Sequence, residues 1–260
     1  MVVMVTVLGG IGIFTYPKFA QWYHVREAEK LLLHPLPLVS DPKIPNPNPH
    51  PALEVNLPVP FTPQAPHGNW ELPYQEACEE ASALMAIRYA FGNPILSPGD
   101  ADAGILDLVR TNAEILRHPI DQTAAQVRDL ILEIDQRLTV RLIDNPSVDD
   151  LQQELASGNV IIVPAKGREL KNPFFRQPGP LYHMLVLRGY TSDGYFITND
   201  PGTKRGEEYL YPFSRIMTAM HDWPIPEAFD FPIDPGGKVV LVVEPLEVID
   251  PPSPKASEDK

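Results

Sequence analysis

The sequence predicts an α+β domain, helices first and a mostly antiparallel sheet second. Two features carry that expectation: three helix-spaced segments precede residue 138, and strand-like runs dominate the remainder. A third, "LYHMLVLRGY-TSDG-YFITNDPG", reads as a hairpin by its alternating flanks and its Ser-Asp-Gly turn. The 260-residue chain has a 43% hydrophobic share, which supports a real core. Its formal charge of −13 argues against a nucleic-acid partner, which needs a basic face. Cys78 is the only cysteine, so there is no internal disulfide framework. No CxxC, HExxH or calcium-loop pattern occurs, and neither a metal nor a cofactor is expected.

The chain divides by composition. Residues 1–17 carry no charged side chain, and Phe14, Tyr16, Trp22 and Tyr23 cluster at the end of the run. Residues 1–23 are therefore expected to anchor the protein in a membrane. A basic n-region and a small-x-small cleavage site are both lacking, which favours an anchor over a cleaved signal. An extracytoplasmic domain is expected, although Lys18, Arg26 and Lys30 all follow the span and leave its orientation open. Residues 24–56 form a juxtamembrane segment and a Pro-rich linker. Eleven of the 31 prolines lie between Pro35 and Pro66, and each fixes φ and removes a donor. Residues 57–246 read as one compact domain, and 247–260 as a polar, disordered tail.

Within that domain the elements follow in order. "QEACEEASALMAIRYAFG" has Ala77, Ala81, Leu84, Met85 and Ile87 at helical spacing and ends at Gly92. "SPGDADAGILDLVRTNAEILRH" and "DQTAAQVRDLILEIDQRL" are two further amphipathic helices, opened by Ser or Asp. "LTVRLID" is a strand, "SVDDLQQELASG" a capped helix and "NVIIVPA" a buried strand. "YHMLVLRGY", "GYFITND", "EEYLYP" and "KVVLVVE" are strands, with "FSRIMTAM" a helix between the last two.

Cys78 stands near the first turn of its helix, where amide dipoles favour a thiolate. Glu79 and Glu80 oppose this unless their side chains splay into solvent. A thiol nucleophile needs a base, a group that orients the base, and oxyanion donors. Among seven histidines, His183 opens the apolar run "HMLVLRGY", where a polar ring wants a partner; His67 and His221 are the rivals. Pairing Tyr190 with Tyr195 sets His183 opposite Gly202, and a shift of one or two residues sets it against Asp200. Asp200 can therefore orient the imidazole; Asn199 is the other candidate, on the opposite face by alternation.

"VPFTPQAPHGNW…QEACEEASALMA", "LQQELASGNVIIVPA" and "HMLVLRGY…ITNDPGT" together resemble the papain-like cysteine peptidases of the bacteriocin-processing (double-glycine leader) family, in its stand-alone branch. The resemblance spans roughly residues 57–245. It implies a papain-type fold with Cys78 as nucleophile, His183 as base and Asp200 as orienter. Gln64 in "FTPQAP" would be the oxyanion glutamine, with Gln75 as runner-up. Glu79-Glu80 replaces the Gly-Pro common in transporter-linked members, and no transporter or ATPase region is present. The expected activity is peptide-bond hydrolysis on a peptide or protein. Alternatives are a cell-wall or lipid amidase, a transglutaminase-like acyltransferase, or a non-catalytic peptide-binding module.

Overall fold

The structure, a computed structural model, describes residues 2–7, 10–15, 54–117, 120–224 and 236–246. The tail at 247–260 and almost all of the linker lie outside these residues. At the N-terminus, β1 (Val2–Val7) pairs antiparallel with β2 (Gly10–Thr15). Of the residues 1–23 expected as an anchor, 2–7 and 10–15 are strands and the rest lie outside the described residues; no helix among the described residues is long and apolar enough to cross a membrane. The residue types explain the strands. Val2, Val3, Val5, Thr6, Val7, Ile11 and Ile13 are β-branched and favour extended backbone.

The domain opens with β3 (Val55–Asn56), slightly ahead of the boundary expected at residue 57. A 3₁₀ turn at Tyr74–Glu76 leads into α1 (Cys78–Ala90). All of α1 except Arg88 is buried, so this helix is enclosed rather than amphipathic. Its alanines let neighbours approach, and a side chain at Gly104 would press on Leu84. Fully burying each larger residue, such as Leu84 or Met85, is worth about 1.5–3 kcal/mol. The helix ends in a Schellman arrangement. Gly92 (φ +66°) donates to Tyr89 O and Asn93 to Arg88 O, which uses two carbonyls that a helix end leaves orphaned.

Against α1 packs α2 (Pro98–Arg110), capped by the Ser97 hydroxyl, with Pro98 at its first position. The second expected helix does not continue regularly to residue 118, because Thr111–Leu116 is a π-helical turn. Next comes α3 (Ala124–Ile134), opened by a Thr123–Gln126 capping box rather than by Asp121. Then follow β4 (Val140–Asp144), α4 (Val148–Ala156, with a Ser147–Asp150 box), β5 (Val160–Lys166) and the single turn α5 (Gly167–Leu170). The remaining elements are β6 (Tyr182–Tyr190), β7 (Tyr195–Asn199), β8 (Tyr209–Pro212), α6 (Phe213–Ala219) and β9 (Val239–Val243).

The sheet is antiparallel throughout, in the order β4-β9-β5-β6-β7-β8, and β3 extends the pairing of β6 beyond the end of β5. Strand β6 is central and buried along its whole length. The helices α1, α3 and α4 pack on the sheet. Tyr190 pairs with Phe196, but a bulge between Leu187 and Gly189 resets the ladder to Leu187↔Thr198 and Val186↔Asn199. Extended two-for-two, that register sets His183 opposite Gly202, not Asp200.

Buried Arg188 sits at this bulge. Its guanidinium donates to Leu57 O and Asn199 Oδ1 and pairs with Glu208 at 3.3 Å. Asn199 in turn donates to the carbonyls of Val59 and Pro60, so the pair fastens the entering chain to the sheet. At Gly189 an added Cβ would overlap the carbonyl of Val55, which is how β3 comes so close to β6. Gly189→Ala is expected to lower the urea midpoint, with a loss of about 1–3 kcal/mol from the overpacked β3–β6 contact.

Candidate active site

Asp200 lies just past the end of β7, fully buried, and is served by four donors. His183 Nε2 lies 2.8 Å from Oδ1, which also accepts the Gly202 N–H at 3.0 Å. Tyr211 Oη donates to Oδ2 at 2.7 Å and Asn172 Nδ2 at 3.1 Å. Burial pushes this carboxyl up. The His183 ring and the hydrogen bonds of Tyr211 and Gly202 outweigh it and hold Asp200 below its usual range. Asp200 thus reaches the imidazole diagonally, from a turn, rather than by standing opposite it in the ladder. That turn is held by Asp200 N–H donating to Gly206 O at 2.9 Å.

His183 is 2% exposed on β6, with Phe175 edge-on to its ring at 5.2 Å between centroids. Asn199 makes no such approach, since its amide is spent on Val59, Pro60 and Arg188. His67 is exposed, and His221 Nδ1 lies 2.6 Å from Asp222 O.

Cys78 is the first residue of α1, so its backbone N–H is among those that a helix leaves without an internal acceptor. The backbone N–H of Met184 on β6, the residue after His183, is near enough to the sulfur to favour its thiolate form. The thiol itself donates to Glu79 Oε2 at 3.0 Å. Neither Glu79 nor Glu80 splays into solvent; they are 1% and 4% exposed. Glu79 Oε1 accepts the Gln122 N–H at 3.2 Å. Glu80 Oε1 accepts Gln122 Nε2 at 2.9 Å and Asn112 Nδ2 at 3.2 Å. The π turn supplies that Asn112. Burial, then the charge of Glu79 and the bond to it, push the Cys78 thiol well above its ordinary value; the Met184 N–H only partly offsets this. Burial also raises Glu79 well above the carboxylate range, with Glu80 adding to it, and lifts Glu80 to about 7. The expected helix-start thiolate is therefore overridden in the resting state by burial and two acidic neighbours.

Gln64 joins the two halves. Its backbone N–H donates to Pro201 O at 2.9 Å, beside Asp200. Its side-chain Nε2 donates to Tyr74 O at 2.9 Å and Gln75 O at 3.0 Å, on the lead-in to Cys78. Both amide hydrogens are thus engaged, and Oε1 is buried without a partner. Gln75 is exposed and donates its own side-chain amide to Glu76. Asn172, Tyr211, Gln122 and Asn112 have no counterpart in the sequence reading. Only Tyr211 carried a signal, through the alternation in "YLYP".

A central buried helix that presents a cysteine at its start, packed on an antiparallel sheet with a histidine at a strand opening, is the architecture of a papain-like peptidase domain. The chain belongs to the Peptidase_C39 like family, which matches residues 56–224. A crystal structure from Bacillus anthracis, described as that of a C39-like peptidase, is similar to it at 15% identity and a TM-score of 0.48, covering 73% of this chain and 96% of that one. No curated protein sequence matches the chain.

Two outcomes follow from the electrostatics and the packing. The raised carboxyls of Glu79 and Glu80 mean that the folded chain binds more protons than the unfolded one between about pH 4 and the neutral range. Their effect is a stability that falls as pH rises across that window. The lowered Asp200 contributes stability above its unfolded value and loses it as pH falls through its folded value. Chemical denaturation should therefore give a higher unfolding free energy near about pH 5.5 than near about pH 8, and Glu80→Gln should flatten that slope. At Gly202, an added Cβ would lie 2.9 Å from His183 Cε1 and 2.7 Å from Phe175 Cε1. Gly202→Ala should displace the imidazole, and NMR of the His183 ring should report a weakened bond to Asp200.

Proposed function

We propose that the protein is a cysteine peptidase that cleaves peptide bonds through Cys78, His183 and Asp200. The observation that carries this reading is the buried His183–Asp200 bond at the strand position next to Met184, where the Cys78 sulfur meets the sheet. With Nε2 committed to Asp200, Nδ1 is the nitrogen left to take the thiol proton. The sulfur then attacks the scissile carbonyl, and the imidazolium returns its proton to the departing amine. A water molecule, deprotonated by the same ring, releases the acyl group from sulfur. Oxyanion donors would be the Cys78 N–H and the Gln64 side chain, the latter after giving up one of its carbonyl bonds. Tyr211 and Asn172 act through Asp200, as positioning residues.

One observation favours a second reading, a peptide-binding module with an inert cysteine. The thiol is buried and bonded to a carboxylate, which is the setting of an unreactive sulfur. Hydrolysis of a peptide library by the purified protein separates the two. Cys78→Ala and His183→Ala should each abolish cleavage, and Asp200→Asn should lower kcat by about 10²–10⁴. Asn199→Ala should instead cost about 1–3 kcal/mol of stability, with turnover per folded molecule retained. Absence of any Cys78-dependent cleavage across the library would favour the binding module.

A further inference from the structure

The proposed reaction needs the thiol proton to pass to His183, yet the resting structure commits that proton elsewhere. Cys78 S–H donates to Glu79 Oε2 at 3.0 Å, and both residues are buried. The proposed mechanism has no use for Glu79. Its ionised form opposes a thiolate twice, by bonding the neutral thiol and by like charge. Its protonated form removes the charge and can donate its own O–H to the sulfur.

We propose that Glu79 is a proton-operated latch on the Cys78 nucleophile. As a carboxylate it holds the thiol neutral and out of reaction; protonated, it releases the sulfur to His183. The proposal rests on the peptidase reading for its purpose, although its chemistry concerns the resting thiol alone.

The surroundings fit a group that changes protonation. On the same helix, Glu80 faces Glu79 and is the nearest like charge. From the segment before α3, Gln122 serves both carboxylates with neutral donors, and the neighbouring Asp121 is itself raised by burial and by Glu76. From the π turn, Asn112 donates to Glu80. From β6, the Tyr182 hydroxyl bonds Gln122 O at 2.8 Å and Asp222 Oδ1 at 3.4 Å, and His183 Nε2 is engaged by Asp200. His221 acts on Asp222 rather than on the thiol. The donors to Glu79 and Glu80 named here are neutral amides or the thiol itself. Burial raises Glu79 well above the carboxylate range, and the charge of Glu80 raises it further, so the release falls in a range shifted upward from that of a solvated carboxylate. Above that range Glu79 is charged and the latch is closed; below it the latch is open.

The test is the second-order rate of iodoacetamide alkylation of the full chain between about pH 5 and pH 9. Glu79→Gln keeps size and a donor to sulfur but cannot carry the charge. A neighbouring like charge raises a pKa by about one to three units, so the variant should alkylate at least about tenfold faster than the parent at pH 8. Near pH 5 the two rates should converge to within about twofold, which a merely structural role of Glu79 would not produce. Glu80→Gln, which leaves the thiol contact in place, should speed the pH 8 reaction by less. Equal rates at pH 8, or a slower Glu79→Gln at every pH, would overturn the latch.

If Glu79→Gln does not fold, the S–H stretch of the parent chain, followed by Raman spectroscopy against pH, replaces it. A band that shifts across the neutral range is expected, and one that stays fixed overturns the proposal. The two readings fail separately. Loss of cleavage in Cys78→Ala with equal alkylation rates would sink the latch and leave the peptidase. Cleavage retained in Cys78→Ala with the predicted ratio would do the reverse.

Discussion

Carboxylates withdrawn from water are the constraint around which this domain is arranged. Asp200, Glu79 and Glu80 are all buried, and an unpaired buried charge is costly enough that each must be bonded or protonated. The solutions differ. Asp200 receives four donors from four places in the chain, His183 among them, and stays ionised. Glu79 and Glu80 share Gln122, with one further donor each, and are driven towards the neutral form. One site therefore holds a fixed negative charge behind the imidazole and a conditional one beside the thiol.

The fold delivers these groups by rigid elements. The enclosed helix α1 fixes where Cys78 begins, and the central strand β6 fixes where His183 and Met184 lie. Two small bridges tie the flanking chain to these elements. Gln64 ties the lead-in of α1 to the turn at Pro201, and Arg188 with Asn199 fastens the entering chain to β6 and β7. Neither bridge is a large apolar surface. Each satisfies buried backbone carbonyls, a role that geometry alone enforces.

The Glu-Glu pair after the cysteine acquires a physical meaning from its burial. Exposed, those side chains would have been solvated charges with a weak and screened effect on the thiol. Enclosed, they add to the burial that pushes the thiol well above its ordinary range. The helix N-terminus still favours negative charge at this place, but burial of the whole first turn outweighs that dipole.

Local chemistry made much of this legible from the sequence. The caps at Ser97 and Ser147, the helical spacing after Cys78 and the apolar runs of β5, β6 and β9 depend on neighbours a few residues away, and those neighbours are written in order. Even the opposition of His183 and Gly202 followed from counting, because the bulge at Arg188 restores the simple hairpin register. The fate of a side chain is another matter. Whether Glu79 points outward, whether Gln64 is free to donate, and which group fastens Asp200 are decided by Gln122, Tyr74, Asn172 and Tyr211, each at least ten residues away. The apolar N-terminal run is β-branched as well as apolar, and its residues 2–7 and 10–15 pair as strands. Sequence alone determined the periodic elements and the residue types that could do chemistry. Only the tertiary structure decided their burial, and burial sets the protonation on which that chemistry turns.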